Sequence, residues 1–147
     1  MKIYIGADHL GYELKEKIKN WFIESNHDVI DCGNIVFDPK DDFPDYAFSV
    51  ADKVISDPGS KGILLCGSGG GMTIAANKIK GIRASQSNNV NDVIHNRSHN
   101  DTNILVIAAG TTNMQTARLM VEAFLDTTYV PEERFVRRLS KIAAREK

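Results

Sequence analysis

The sequence predicts an α/β fold: a three-layer, doubly wound, five-stranded parallel sheet with helices on both faces. Short apolar segments alternate along the chain with longer segments in which apolar residues recur every three or four positions, so strands should alternate with helices. The short segments are apolar throughout, as strands are when both faces of a sheet are buried. At 147 residues the chain has the length of a single domain, which we place at residues 1–147.

The first half of the chain contains three predicted strands and two predicted helices. Leu14, Ile18 and Phe22 share one face of the first helix. Pro39 and Pro44 mark residues 34–44 as a loop. The predicted elements are strands at residues 2–5, 29–30 and 62–65, and helices at residues 10–22 and 45–55.

The second half continues the same alternation and closes with two helices. Its fifth strand, at residues 104–108, is wholly apolar. The other predicted elements are a strand at residues 82–84 and helices at residues 72–79, 88–97, 113–125 and 132–144.

Composition and charge exclude several classes of partner. The formal net charge of −1 gives no field that would draw the chain to nucleic acid or to a membrane, so neither is expected. The N-terminus lacks the apolar run of a signal peptide, and no segment approaches the ~20 apolar residues of a membrane span. Cys32 and Cys66 form no C-x-x-C motif, and two free thiols suit a reducing compartment. We therefore expect a cytoplasmic protein.

Polar residues directly follow three of the predicted strands. They are Asp8 and His9 after the first strand, residues 66–71 after the third and residues 110–113 after the fifth. Ligands of doubly wound sheets bind beyond the carboxyl ends of the strands. These three positions therefore carry the functional candidates.

The segment that begins at Cys66 is the strongest candidate for chemistry. A thiol at the start of a helix should ionise more readily than a free cysteine, whose pKa is ~8.5. The alternative is a tight turn that contains a buried, unreactive cysteine. The residues after the cysteine allow a sharp turn and bring backbone N–H groups close to an anion: Gly67, Ser68, Gly69, Gly70 and Gly71.

Known glycine-rich motifs do not fit this segment. A dinucleotide-binding G-x-G-x-x-G motif would need glycine at Met72, and a cysteine phosphatase loop would need arginine there. A P-loop would need a following G-K-[ST]. A nucleophile elbow around Ser68 fails only at Cys66, where it needs glycine, so a small hydrolase stays an alternative.

Asp8 and His9 offer a carboxylate and an imidazole at one strand end. Such a pair can exchange protons with a bound hydroxyl group. Asp8 at the N-cap of the first helix is an equally good interpretation.

Two further pairs lie at i, i+4 spacing. His95 and His99 could share a metal, but no third ligand is evident and no metal is expected. Arg134 and Arg138 share one helix face and could clamp a phosphate. A solvated basic helix is the alternative for the arginines.

Six stretches together resemble one family. They are IGADH at residues 5–9, DFPDYA at 42–47, CGSG at 66–69, AANK at 75–78, GIRA at 81–84 and HNDTN at 99–103. In order and spacing they resemble the type B ribose-5-phosphate isomerases and the wider group with allose-6-phosphate and galactose-6-phosphate isomerases. The resemblance covers nearly the whole chain.

The resemblance implies a Rossmann-like fold and an enzyme that interconverts ribose 5-phosphate and ribulose 5-phosphate through a cis-enediolate. It implies that Cys66 is the base that moves a proton between C1 and C2. It also implies that Gly67, Ser68 and the following glycines bind the enediolate oxygens. It also implies that His99, helped by Asp8, opens the sugar ring.

The same resemblance assigns the binding residues and the assembly. Asn100 and His9 would contact the substrate, and Arg134 and Arg138 would bind its phosphate. The sites would form between the two subunits of a homodimer, without metal or cofactor. Pairing of dimers into tetramers is left open.

This chain departs from the family pattern at the phosphate end. The family often has arginine where this chain has Gly110, and tyrosine where it has Phe43. An arginine introduced at position 110 would be expected to tighten phosphate binding. The departures leave two alternatives open: an isomerase of another phosphorylated sugar, such as allose 6-phosphate, and a non-catalytic phosphosugar-binding protein.

Overall fold

Five strands form one sheet in the computed structural model, which describes residues 1–147. The strands are β1 (Lys2–Ala7), β2 (Asp28–Asp31), β3 (Lys61–Cys66), β4 (Ala84–Gln86) and β5 (Ile104–Ala108). Their spatial order is β2-β1-β3-β5-β4, and every neighbouring pair is parallel. The order reverses between β1 and β3, as in a doubly wound sheet, so the fold predicted from the sequence is confirmed.

Six helices connect and cover the strands. They are α1 (Tyr12–Glu24), α2 (Phe43–Ser56), α3 (Gly70–Ala76), α4 (Val90–Asn100), α5 (Met114–Asp126) and α6 (Glu133–Ala143). Helices α1, α4 and α5 contribute to the core on one face of the sheet, and α2 and α3 to the core on the other. Helix α6 packs against α4. None of the six is both long enough and apolar enough to span a membrane.

The central strand β3 shows how the two cores fix the position of the site. Ile63 and Leu65 enter the core under α1, α4 and α5, whereas Leu64 and Cys66 enter the core under α2 and α3. All four side chains are buried. Burying an aliphatic side chain of this size stabilises the fold by ~1.5–3 kcal/mol. Because β3 is held on both faces, the core fixes where Cys66 lies.

The structure corrects several predicted boundaries. Helix α1 begins and ends two residues later than predicted, α3 ends three residues earlier, and α4 runs over Val90–Asn100 and not over residues 88–97. The fourth strand was predicted at residues 82–84 but runs over Ala84–Gln86, because Ile82 fills the core from a turn. Helix α2 begins at Phe43 and helix α3 at Gly70, each two residues earlier than predicted. Pro44 at the start of α2 is compatible with a first helical turn, where its missing N–H is not needed.

Candidate active site

Cys66 ends β3 with its side chain buried, 5% exposed. The Gly69 N–H donates a hydrogen bond to the Cys66 sulfur over 3.0 Å. Gly69 has φ of 84°, which side chains rarely adopt, so a glycine lets the chain fold back over the sulfur. A backbone N–H aimed at the sulfur favours negative charge there.

The turn after Cys66 presents backbone N–H groups at the protein surface. The amides of Gly67 and Ser68 donate to no other group of the chain. The side-chain amide of Gln86 donates to the Ser68 carbonyl over 2.7 Å and holds the turn from the β4 side. The Phe43 ring lies against Gly71, where an added Cβ would be 2.6 Å from the ring. The turn is therefore held in place while two of its amides remain available.

Three backbone hydrogen bonds join this turn to the neighbouring strand ends. The Asp8 N–H donates to the Leu65 carbonyl over 3.3 Å. On the other side, the Ala109 N–H donates to the Cys66 carbonyl over 2.8 Å, and the Gly110 N–H donates to the Gly67 carbonyl over 2.9 Å. The carboxyl ends of β1, β3 and β5 thus bring the three predicted polar segments together.

The Asp8 carboxylate is buried beside this turn. Its Oδ1 accepts hydrogen bonds from the N–H groups of Leu10, over 3.0 Å, and Gly11, over 3.2 Å. Burial raises the pKa of Asp8, although the two amides act in the opposite direction. The N-cap of α1 is Gly11, so Asp8 holds the turn before the helix and does not occupy the cap itself.

His9 is paired with Asp41, from the loop that precedes α2. Its Nδ1 lies 2.7 Å from Asp41 Oδ1, and its main-chain N–H donates to the same oxygen over 3.0 Å. The bond to Asp41 raises the pKa of His9, against a smaller effect of burial. Burial would raise the pKa of Asp41, but its hydrogen bonds from His9 lower it. The 2.7 Å contact favours a protonated His9 beside an ionised Asp41.

A second group of candidates lies at the opposite edge of the sheet. His99 and Asn100 are the last two residues of α4. Asn103 follows closely, and its carbonyl accepts the N–H of Gly62 at the start of β3, so the end of α4 lies near the amino end of that strand. The four residue steps from Gly62 to Cys66 span about 13 Å. Cys66 and His99 therefore do not meet within one chain.

His99 and Arg134 both contact the aromatic ring of Phe135, on α6. The His99 ring stacks on the Phe135 ring with centroids 4.2 Å apart, and the Arg134 guanidinium lies 4.6 Å from the Phe135 centroid. Arg134 also pairs with Glu132 over 3.2 Å. Arg138 is exposed and forms no ion pair. The structure thus places His99 and the two predicted phosphate-binding arginines on one surface.

A cavity of about 730 Å³ lies beside one member of this second group, Asn100. Asn100 lines it, together with residues of α6 and the C-terminus, and Cys66 does not. Arg83 lies in its wall but is tied to Asp101 over 3.0 Å. This cavity and Cys66 therefore lie in different parts of the chain.

Three possible metal ligands converge once in the chain, at Asp8, His9 and Asp41, whose ligand atoms lie within 4.8 Å of one another. The hydrogen bonds described above engage all three residues. His95 and His99 have ring centroids 4.1 Å apart and gain no third ligand.

The sequence model of the Ribose/Galactose Isomerase family matches residues 3–142. The chain belongs to this family. It is 37% identical to the ribose-5-phosphate isomerase B of Mycobacterium tuberculosis, over 100% of this chain and 91% of that protein. A ribose 5-phosphate isomerase structure from Thermotoga maritima is 40% identical, with a TM-score of 0.93 and 97% coverage of both chains. A ribose-5-phosphate isomerase B from Mycoplasma genitalium, with bound ribulose 5-phosphate, is 36% identical, with a TM-score of 0.90 over 97% of this chain and 94% of that one.

Four contacts of the candidate site were missed from the sequence. Asp41 binds His9 from 32 positions away in the sequence, and Gln86 binds Ser68 from 18 positions away. Phe135 gave only a generic helical signal, although it holds His99 and Arg134.

Proposed function

We propose that this sugar-phosphate isomerase interconverts ribose 5-phosphate and ribulose 5-phosphate, with Cys66 as the base. The observation that carries the proposal is the buried Cys66 sulfur at a strand end, with a backbone N–H aimed at it over 3.0 Å. The names of the two ribose-5-phosphate isomerase B relatives support the choice of sugar.

Cys66 acts on the ring-opened aldose through a cis-enediolate. The thiolate takes the proton from C2, the C–H electron pair forms a C1=C2 double bond, and the carbonyl oxygen O1 becomes an anion. The proton on O2 then passes to O1, an electron pair on O2 forms the C2=O carbonyl, and the C1=C2 electron pair takes the proton back from the thiol to form the new C1–H bond. The free amides of Gly67 and Ser68, with those of the glycines that follow, stabilise the anionic oxygen.

Asp8 and His9 complete the half of the site that one chain provides. Asp8 has a raised pKa because it is buried, which suits a carboxyl group that exchanges protons with a hydroxyl during ring opening. His9 presents a positive charge to the substrate through its pairing with Asp41.

A second copy of the chain provides the other half of the site. His99 opens the sugar ring, Asn100 contacts the substrate, and Arg134 and Arg138 bind the phosphate. The separation of about 13 Å along β3 is the reason to take these residues from a partner. The protein therefore works as a homodimer with two shared sites, and pairing of dimers is left open.

The rest of the proposal concerns the setting of the reaction. Residues 1–147 act as one isomerase domain in the pentose phosphate pathway. Both cysteines are free, as suits the reducing cytoplasm. The proton transfers use groups of the protein and substrate, without a cofactor or metal.

An isomerase of another phosphorylated sugar, such as allose 6-phosphate, is the second candidate. Two features of the proposed phosphate-binding residues favour it: Gly110 has no side chain to contact a phosphate, and Arg134 already forms an ion pair with Glu132. A non-catalytic phosphosugar-binding protein would fit the same features.

A direct assay separates the three possibilities. Purified protein is incubated with ribose 5-phosphate or with allose 6-phosphate, and the ketose is measured. We expect conversion of ribose 5-phosphate with the higher kcat/KM, abolished in Cys66→Ala. A higher kcat/KM for allose 6-phosphate would change the substrate, and binding without any conversion would rule out the enzyme.

A further inference from the structure

The carboxylate of Asp41 is buried although its loop is exposed. Its side chain is 3% exposed, whereas residues 35–40 are all exposed. Both oxygens are engaged: Oδ1 by the two His9 donors, and Oδ2 by the Asn34 side-chain amide over 3.1 Å. No lysine or arginine pairs with Asp41, so His9 is its sole cationic partner.

The start of this loop is tied to a buried lysine. Lys15, which is fully buried, donates to the Asn34 carbonyl over 2.6 Å and to Asp31 over 2.7 Å. The Asn34 N–H donates to the Ala7 carbonyl over 2.9 Å, one residue before Asp8. Asn34 is therefore fixed from both sides, and it in turn holds the second oxygen of Asp41.

Basic side chains are scarce at the carboxyl edge of the sheet. The segments that follow the five strands there contain only His9 and the exposed Lys40, against four aspartates. Among the side chains that one chain supplies at this edge, His9 and Lys40 are therefore the only sources of positive charge for an anionic substrate. Asp41 occupies Nδ1, so that Nε2–H is the donor left for a ligand.

We infer that Asp41 is a positioning residue for substrate binding: its buried carboxylate fixes His9 as an imidazolium and reserves the Nε2–H for an anionic group of the substrate. The inference rests on the proposed function, in which His9 contacts the sugar phosphate. Asp41 acts through His9 and does not touch the substrate. Charged and titratable groups surround this pair from every neighbouring element: Asp8 in the same turn, Asp38 in the loop, Tyr46 on α2, and Tyr12, Glu13, Glu16 and Lys17 on α1.

The first test measures His9 without any substrate. Proton NMR follows the His9 ring C–H signal against pH in the wild type and in Asp41→Asn, with His9→Gln identifying the signal. We expect His9 to titrate at lower pH in Asp41→Asn. The matched control Asp38→Asn removes a charge from the same loop without breaking a bond to His9, and should shift the titration far less. Equal titrations in wild type and Asp41→Asn, or equal shifts in the two variants, would overturn the inference.

The second test measures KM and kcat for ribose 5-phosphate at pH 6 and pH 8. We expect Asp41→Asn to raise KM about tenfold at pH 8, where its His9 is neutral, with kcat within about twofold. At pH 6 the variant's KM should approach the wild-type value. In a His9→Gln background, Asp41→Asn should have no further effect on KM. A KM penalty that persists in that background would show a merely structural role.

A third measurement separates this inference from the proposed function. Inorganic phosphate is titrated into the protein while the His9 signal is followed, with no turnover required. We expect about tenfold weaker phosphate binding in Asp41→Asn at pH 8 and little difference at pH 6. If the wild type fails to isomerise ribose 5-phosphate but shows this contrast, the proposed function fails and the role of Asp41 stands. Equal phosphate binding at pH 8 would overturn that role.

Discussion

The two edges of the sheet differ in how completely one chain holds its candidate residues. At the carboxyl edge, Asp8 and Cys66 are buried and hydrogen-bonded to backbone amides. At the amino edge, Asn100 is exposed with a single side-chain contact of 3.5 Å, and Arg138 forms no ion pair. The candidate residues at the carboxyl edge are thus preorganised, whereas Asn100 and Arg138 at the amino edge are largely unengaged. That division is expected of a site completed by a second chain and by substrate.

The largest effect should come from the reactive cysteine. Cys66→Ala should retain the fold and lose ~10²–10⁴-fold in kcat, the usual contribution of a general base. Cys32→Ala is the matched control, because burial raises the pKa of the Cys32 thiol and it follows the edge strand β2. Steady-state kinetics of the two variants check this, and an equal loss in both would mean that Cys66 has only a structural role.

The arginines of α6 should affect binding more than chemistry. Arg134→Ala or Arg138→Ala should raise KM for ribose 5-phosphate about tenfold or more, since each charged hydrogen bond contributes ~1.5–3 kcal/mol. Arg137→Ala is the control on the same helix, because Arg137 is already engaged by Glu133 over 2.7 Å. If all three variants had the same KM, α6 would be only a solvated basic surface without a role in phosphate binding.

Gly110 tests how rigid the reactive half is. A Cβ at this position would lie 2.9 Å from the Gly67 carbonyl oxygen, so any side chain must displace the turn after Cys66. Gly110→Ala should therefore lower kcat about tenfold, because small misplacements of reacting groups are costly. The same displacement opposes the gain in phosphate affinity expected for an arginine here. Thr111→Ala, at the next, exposed position, should retain kcat, and an unaffected Gly110→Ala would show that the turn adapts.

The smallest effect concerns the stability cost of the buried carboxylate. The pKa of Asp8 is raised in the folded state by burial, so its ionised form destabilises the fold at neutral pH. As the pH falls through the raised pKa of the folded state towards the lower pKa of the unfolded chain, Asp8 becomes protonated and this destabilisation is lost. Asp8→Asn should thus have a higher Tm than the wild type at pH 7, with a gap that narrows on acidification.

Thermal melts between pH 4 and pH 7 check the Asp8 prediction. The control is Asp52→Asn, which removes an exposed carboxylate from α2 and should leave Tm unchanged. A lower Tm for Asp8→Asn at every pH would show that the ionised carboxylate stabilises the turn before α1.

Much of the fold could be predicted from local pattern. The buried strands β1, β3 and β5 are continuous apolar runs, and each was found. The edge strand β4 was displaced because Ile82 is as apolar as a strand residue yet lies in a turn. The start of α3 was missed because Gly70 and Gly71 are poor helix formers, and tertiary packing overrides that preference.

The candidate site was predictable only where it follows a strand. Asp8, His9 and Cys66 stand at strand ends, so topology alone placed them at one edge. His99 lies beyond residue 97, where the fourth helix was predicted to end, but α4 continues to Asn100, and the His99 ring stacks on Phe135. The partnership of His9 with Asp41 depends on loop packing between distant positions, which no periodicity reveals.

The shared site is the central claim, and mixed dimers test it most directly. Cys66→Ala and His99→Ala chains are co-expressed, and dimers that contain one chain of each kind are verified. Each homodimer should be inactive, because every site lacks one group. A mixed dimer has one site with both defects and one intact site. With random pairing of equal amounts, activity should recover to about a quarter of the wild-type value. Zero activity from verified mixed dimers would contradict a site built from Cys66 of one chain and His99 of its partner.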